Sequence, residues 1–242
     1  MARLFAGTSG FAYAQWKPAF YPAGVPAARF LEHYAGRLNA VEINYTFRRM
    51  PSAATLASWV QATPAGFVFA VKAHMRITHV LRLKNAAQAT ELFLRSIDPL
   101  RSARRLGPVL FQLPPQLKCD AALLGDFLPL LPGDLRYAFE FRHASWLCDQ
   151  VYGMLSGRNV SLCVAESDKF EVPEVITADF VYYRLRKSGY TADDLEAIAR
   201  RASGLMAEGK DLYLMFKHED TPEGALNAEE LLRKFDRAGS AE

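Results

Sequence analysis

The sequence predicts a (β/α)₈ barrel, and three observations lead to it. Short β-branched or aromatic runs recur eight times, at about 30 residues per unit, with helical spacing between most of them. The 242 residues match the roughly 250 typical of a closed barrel. No G-x-G-x-x-G or Walker-type loop follows any of the runs, which weighs against an open doubly wound sheet.

The eight strands are expected near Arg3–Gly7, Ala40–Asn44, Phe67–Lys72, Pro108–Leu113, Arg136–Phe141, Val160–Val164, Phe180–Leu185 and Leu212–Lys217. Between them, Phe30, Leu31, Tyr34 and Leu38 follow Pro26, and Leu56, Trp59 and Val60 follow an N-cap candidate, Ser52. Ala89, Leu92, Phe93, Ile97 and Leu100 make the longest stripe, closed by Gly107. Leu123, Leu124, Phe127 and Leu128 follow Asp120. Thr191 and Asp194 form a capping-box pair ahead of Leu195, Ile198, Ala199 and Ala202. Asn227 and Glu230 give a similar signal before Leu231, Leu232 and Phe235. The stretch from Ala165 to Phe180 has weak helical spacing and is interrupted by Pro173, so the sixth helix is expected as a loop or a single turn. No linker or composition shift divides the chain, and one domain over 1–242 is expected.

Half of the residues are hydrophobic and 23% are charged, enough apolar surface for one large core. The net charge is +3, with acids and bases interspersed, an argument against a dedicated nucleic-acid surface. Arg101, Arg104 and Arg105 fall at a helix end, where they complement the helix dipole. Cys119, Cys148 and Cys163 form no C-x-x-C pair or disulfide framework, and Cys163 sits in an apolar run as a core residue. The opening MARLFAGTSG lacks the apolar stretch of a signal peptide, and no run of about 18 apolar residues occurs. A reduced, cytoplasmic protein with no membrane association is the expectation.

Alternation within the strands carries the functional signal. Val41 and Ile43 share one face, Glu42 and Asn44 the other. Tyr137, Phe139 and Phe141 oppose Ala138, Glu140 and Arg142. Phe67, Phe69 and Val71 oppose Val68, Ala70, Lys72 and His74. Gln112 pairs in parity with Leu110, and Arg184 with Tyr182. A strand under helices turns its large apolar face outward, so these polar residues point inward at the strand C-termini, where barrel enzymes work. A buried charge costs several kcal/mol unless paired. Inward Glu42, Lys72, Glu140, Arg142 and Arg184 therefore read as a polar pocket, against the alternative of salt bridges that merely close the barrel top. In the loop GTSGFAYAQW, Thr8, Ser9 and Gly10 offer hydroxyls and backbone amides to an anion, while Tyr13 and Trp16 wall a pocket or plug the barrel.

Taken together, GTSGFAYAQW, VEINYTF, FAVKA followed by ITH, GPVLFQLP, FEFRHASW and GALNAEELL resemble the YecE-like family, a domain of unknown function numbered 72. The match runs in order from Gly7 to Leu232. The resemblance implies a TIM-type barrel and supplies no established activity. It marks Glu42, Asn44, Lys72, Thr78, His79, Gln112, Glu140, Arg142 and His143 as family-like positions. Many relatives carry a His-Gly pair after the seventh strand and an Asn pair after the eighth. Arg186, Lys187, Lys217 and His218 depart from that pattern.

The leading expectation is an enzyme acting on a small polar or anionic molecule, sugar-like or phosphorylated, at the barrel mouth. Glu42, Glu140 and Lys72 are its candidate catalytic groups. Thr8, Ser9, Tyr13, Trp16, Asn44, His79, Gln112, Arg142, His143, Arg184 and Lys217 are its candidate ligand-binding residues. Isomerase, lyase and hydrolase chemistry stay open. One alternative is a metal-dependent sugar-isomerase type using Glu42, Glu140 and His218, disfavoured by nearby Lys72 and Arg142 and by the lack of H-x-x-x-H or H-E-x-x-H spacing. Another is a non-catalytic ligand-binding or nucleic-acid-binding protein, with Tyr13, Trp16 and Trp146 as stacking candidates. An anion-selective mouth is expected unless Asp168, Glu166 and the two strand-end glutamates neutralise its cations.

Overall fold

A computed structural model describes residues 2–167, 170–217 and 220–239, the last four in backbone only. Asp168 and His218 lie outside the described residues. Eight parallel strands pair in sequence order and close on themselves: β1 Leu4–Ser9, β2 Ala40–Ile43, β3 Val68–Lys72, β4 Leu106–Gln112, β5 Tyr137–Glu140, β6 Ser161–Ala165, β7 Phe180–Leu185 and β8 Asp211–Phe216. Around them run α1 Phe30–Ala35, α2 Ala53–Gln61, α3 Ala87–Ser102, α4 Ala121–Phe127, α5 Asp149–Ser156, α6 Ala192–Ala207 and α7 Glu223–Gly239.

Capping follows the side chains that the sequence offers. Ser52 Oγ accepts from Thr55 N at 3.1 Å, Asp120 Oδ1 from Leu123 N at 3.0 Å, and Thr191 and Asp194 cap α6 reciprocally. Two details differ from expectation. Leu92 faces solvent, and α3 ends at Ser102 with Arg104 in the left-handed region, so Gly107 lies inside β4. There a Cβ would stand 2.5 Å from Val68 Cγ1, so the glycine allows a close strand approach. Helix α7 begins at Glu223, placing Asn227 within it rather than at its start. Between β6 and β7 no helix forms among the described residues. The segment is tied down instead by Thr177, whose Oγ1 donates to Val160 O at 2.7 Å and accepts from Leu162 N at 2.8 Å.

Two apolar layers result from strand alternation. The outer one packs large side chains such as Phe69, Phe111 and Phe139 under the helices. The inner one fills the barrel with Phe5, Ala40, Ala70, Ala138, Cys163, Phe180 and Tyr213, small residues toward the mouth and rings toward the floor. The floor is closed by Arg136, which donates to Asp211 at 2.6 Å and to the Tyr213 hydroxyl at 3.0 Å. No helix among the described residues is long and apolar enough to cross a membrane.

Candidate functional site

Strand register brings the polar inward positions to one level. Ser9 is opposite Glu42, Gln112 opposite Glu140, Lys72 opposite Leu110, and Arg184 opposite Ala165 and Met215. The next residues inward above Glu140 and Arg184, with the same parity, are Arg142 and Arg186.

Arg184 stands at the centre. Its Nη2 donates to Glu42 Oε1 and its Nη1 to Glu140 Oε2, both at 2.6 Å, with the guanidinium 3% and the carboxylates at most 2% exposed. Glu42 is completed by neutral donors: Ser9 Oγ at 2.8 Å on Oε1 and the Tyr182 hydroxyl at 2.9 Å on Oε2. Glu140 is completed by Gln112 Nε2 at 2.8 Å on Oε2, and by Arg142 Nε and Arg186 Nη2, each 3.0 Å from Oε1. Burial alone would raise both carboxyl pKa values. Arg184, with Ser9 and Tyr182, holds Glu42 below the usual range, and Arg184, Arg186 and Arg142 hold Glu140 well below it. Both glutamates are therefore anions, Glu140 accepting four hydrogen bonds and Glu42 three.

Around this core sit cations with donors to spare. No described residue accepts from Arg142 beyond its Nε bond to Glu140, and the buried Nε of Arg186, like that of Arg184, has no acceptor. Lys72 pairs with no described carboxylate; its Nζ lies 4.2 Å above the Phe47 ring. Burial first, then Arg184 and Arg142, outweigh Glu42 and Glu140 and bring the Lys72 ammonium down to about 8. Arg186 is held below the usual arginine range by burial and then by Arg184 and Arg142. Beside these residues a cleft of about 1140 Å³ opens, with Glu140, Arg142, Glu166 and Arg186 in its wall. Glu166 is engaged by the Lys187 amide at 2.7 Å, by the Arg186 amide and by the Tyr190 hydroxyl. A second hollow of about 670 Å³, along α3, lies against Leu94, Leu106 and Leu135, and its charges pair with one another or with Asp134.

The other expected residues divide sharply. His79 approaches the mouth: its ring meets Phe47 edge-on at 4.9 Å, its Nδ1 is 2.9 Å from Thr78 Oγ1, and burial with Lys72 and Arg142 lowers its pKa. Asn44 and Lys217 end their strands half-buried, with no side-chain bond to a described residue. Thr8 is corrected. Its hydroxyl points outward to Gly10 O at 2.6 Å and to the Tyr34 hydroxyl, and the Thr8 and Gly10 amides bond to Tyr34 and to Glu42 O, leaving no anion nest. Trp16 is also corrected: it is sealed among Tyr13, Phe20 and Tyr21 in the outer core. Tyr13 donates to Ser9 O and packs on Trp16. His143 Nδ1 caps the following turn by accepting from Ser145 N at 3.2 Å. Trp146 is buried with its Nε1 on Leu117 O, and is not available for stacking. Sequence reasoning missed Tyr182 as a partner of Glu42 and Arg186 as a partner of Glu140. The parity of Arg184 points to both.

Among the described residues, no three His, Cys, Asp or Glu side chains gather as a metal-ligating group. The donor set at the mouth is dominated by cations, which suits an anion.

Comparison with known proteins places this geometry. The chain is 24% identical to the UPF0759 protein YunF of Bacillus subtilis, over 90% of each sequence. The crystal structure of a DUF72 family protein from Thermotoga maritima superposes with a TM-score of 0.85 at 27% identity, covering 97% of this chain and 99% of that one. A xylose isomerase-like TIM barrel, fused to 4-hydroxyphenylpyruvate dioxygenase, shares the fold at a TM-score of 0.53 and 16% identity, over 96% of this chain and 42% of that one. The profile of the family described as "Protein of unknown function DUF72" matches residues 5–241, and the chain belongs to that family.

Proposed function

We propose that this protein is an enzyme that binds a small anion, phosphorylated or sugar-like, at the barrel mouth. One observation carries the reading: Arg142 and Arg186 gather beside Glu140 with unused donors in the wall of a cleft open to solvent, and Lys72 stands near the same glutamate without a carboxylate partner. Half-buried cations set beside one another with few acceptors repel, and an incoming anion relieves that repulsion. Arginine forks match phosphate or carboxylate oxygens, and low-dielectric walls strengthen the attraction.

The distribution of roles differs from what the strand pattern alone suggests. Glu42 and Glu140 are ionised and both held by Arg184, so they serve as anchors that aim the arginines. Lys72, titrating near 8, is the group suited to move a proton near neutral pH. The likeness to a xylose isomerase-like barrel is one of fold, and it favours a sugar-like substrate only by analogy.

Thermal shift in phosphate, sulfate, sugar phosphates and small carboxylates tests the reading. A fitting anion at 100 times its Kd stabilises by about 2.7 kcal/mol, a shift of several degrees. Arg142→Gln and Arg186→Gln should remove that shift. Stabilisation by neutral sugars alone, with no response to any anion at millimolar levels, would overturn it.

A further inference from the structure

The interspersion of charge that the whole sequence shows breaks down over one segment. No Asp or Glu stands between Glu42 and Glu91, whereas Arg48, Arg49, Lys72, Arg76, Arg82 and Lys84 do. Apart from Lys72, these cations lie on two neighbouring loops, after β2 and after β3, on the mouth side of the barrel. All five are exposed, and none makes a side-chain hydrogen bond or ion pair with a described residue. Elsewhere Arg29, Arg95, Arg101 and Arg201 each have a carboxylate within reach, and the exposed arginines without an ion pair to a described residue, such as Arg104, Arg158 and Arg200, are scattered along the chain rather than gathered on adjacent loops. Like charges left unpaired on adjacent loops repel one another, so this rim is unfavourable until something anionic covers it.

The rim also carries flat and apolar surface. Tyr45 is 46% exposed immediately before Phe47, Arg48 and Arg49, and Val80 is 62% exposed on the facing loop. The two loops touch through the Phe47–His79 ring contact, and Thr46 Oγ1 donates to Lys72 O at 2.7 Å, so the rim runs continuously into the mouth. The second loop is held in place: Leu83 is buried with a φ of +69°, and its neighbours Arg82 and Lys84 turn outward. Cations interleaved with an exposed ring form the combination that tracks a phosphodiester backbone while stacking an unpaired base. Duplex offers no base face to such a ring. Lipid headgroups would call for an amphipathic helix or a broader apolar surface, and here Tyr45, Met50 and Val80 stand on loops.

We propose that the Arg48–Arg49 and Arg76–Lys84 rim binds single-stranded nucleic acid, with Tyr45 stacking on a base. The inference goes beyond the mouth site and does not depend on it, because its cations lie outside the Arg184 network.

Fluorescence anisotropy with a labelled 15-nucleotide single strand tests it, with the matching duplex and anionic phosphatidylserine vesicles as competitors. If about four phosphates are neutralised, raising salt from 50 to 150 mM should weaken single-strand binding about 20-fold. The variant R48Q/R49Q/R76Q/R82Q should bind at least tenfold more weakly while melting no lower than wild type and keeping its response to small anions. Y45A should lose about tenfold. Absence of binding at 50 mM salt, or undiminished binding by the quadruple variant, would overturn the rim as a nucleic-acid surface. Equal competition by duplex or by vesicles would overturn the single-strand assignment. Failure of small anions to stabilise the wild type would bear only on the mouth.

Discussion

Arg184 on β7 and Arg186 just beyond its end share a parity and touch the same glutamate, yet their surroundings differ. Arg184 is enclosed, 3% exposed, between two carboxylates at 2.6 Å. Arg186 meets only Glu140, which it shares with two other cations; both arginines leave a buried Nε without an acceptor, so the contrast lies in the carboxylates that each one meets. The difference separates structure from function within a single cluster. Where charges are matched, the group is a keystone tying β2, β5 and β7 together; where cations exceed acceptors, a place is left for a ligand. An inward charge is thus informative only after its partners are counted.

The largest effect expected from this contrast is at Arg184. Arg184→Met leaves Glu42 and Glu140 buried without their shared counter-ion, and breaking such a pair costs about 3–5 kcal/mol. For a chain of this size that lowers Tm by roughly 10–15 °C. Arg186→Met should move Tm by no more than a few degrees while abolishing the anion response. Equal destabilisation by the two variants would erase the distinction between keystone and ligand group.

A finer version compares the glutamates by chemical denaturation. Glu140 anchors Arg184, Arg142 and Arg186, whereas Glu42 holds one cation and two hydroxyls. Glu140→Gln should therefore cost about 2–4 kcal/mol and Glu42→Gln about 1–2, since an amide oxygen still accepts from Arg184 and the Tyr182 hydroxyl turns to accept from the new NH₂. Both carboxyls have folded pKa values below their unfolded ones. Their stabilisation is therefore complete above about pH 4.5 and is lost as pH falls through the folded values. The reverse ranking of the two variants would show that neutral hydrogen bonds, not charge, dominate this core.

How much of this was legible in the sequence depended on backbone periodicity. In strands, period two fixes direction, and it gave Glu42, Lys72, Gln112, Glu140, Arg142 and Arg184 their inward placement. The same rule reaches Tyr182 and Arg186. Arg186 escapes the strand pattern because β7 ends at Leu185, although its parity continues into the next turn. Loops carry no such period. Thr8, Trp16 and His143 were expected at the ligand, but Thr8 bonds to Tyr34, Trp16 enters the outer core and His143 caps a turn. Pairing was the other illegible quantity. Residue types announce charge, but only register and distance show that Glu140 is saturated and that Lys72 has no described carboxylate partner.

Lys72 supplies the smallest and most specific test of the contrast. Its folded pKa is about 8, below the roughly 10.4 of an unfolded lysine, so between those values the unfolded chain binds more protons. Wild-type stability should accordingly rise with pH through that window, and at pH 7 the ammonium is a burden on the fold. The full shift corresponds to about 3 kcal/mol, and the partial exposure of Lys72 reduces this by solvent screening to about 1 kcal/mol. Lys72→Met keeps a flexible apolar chain over the Phe47 ring and removes the charge. The variant should melt about 2–4 °C higher than wild type at pH 7, and the gain should fade as pH approaches 10. Its response to anions should weaken at the same time, because one of the unpaired cations is gone. A variant less stable than wild type at pH 7 would mean that Lys72 belongs with Arg184 among the satisfied groups, and the mouth would then hold one cation fewer for a ligand.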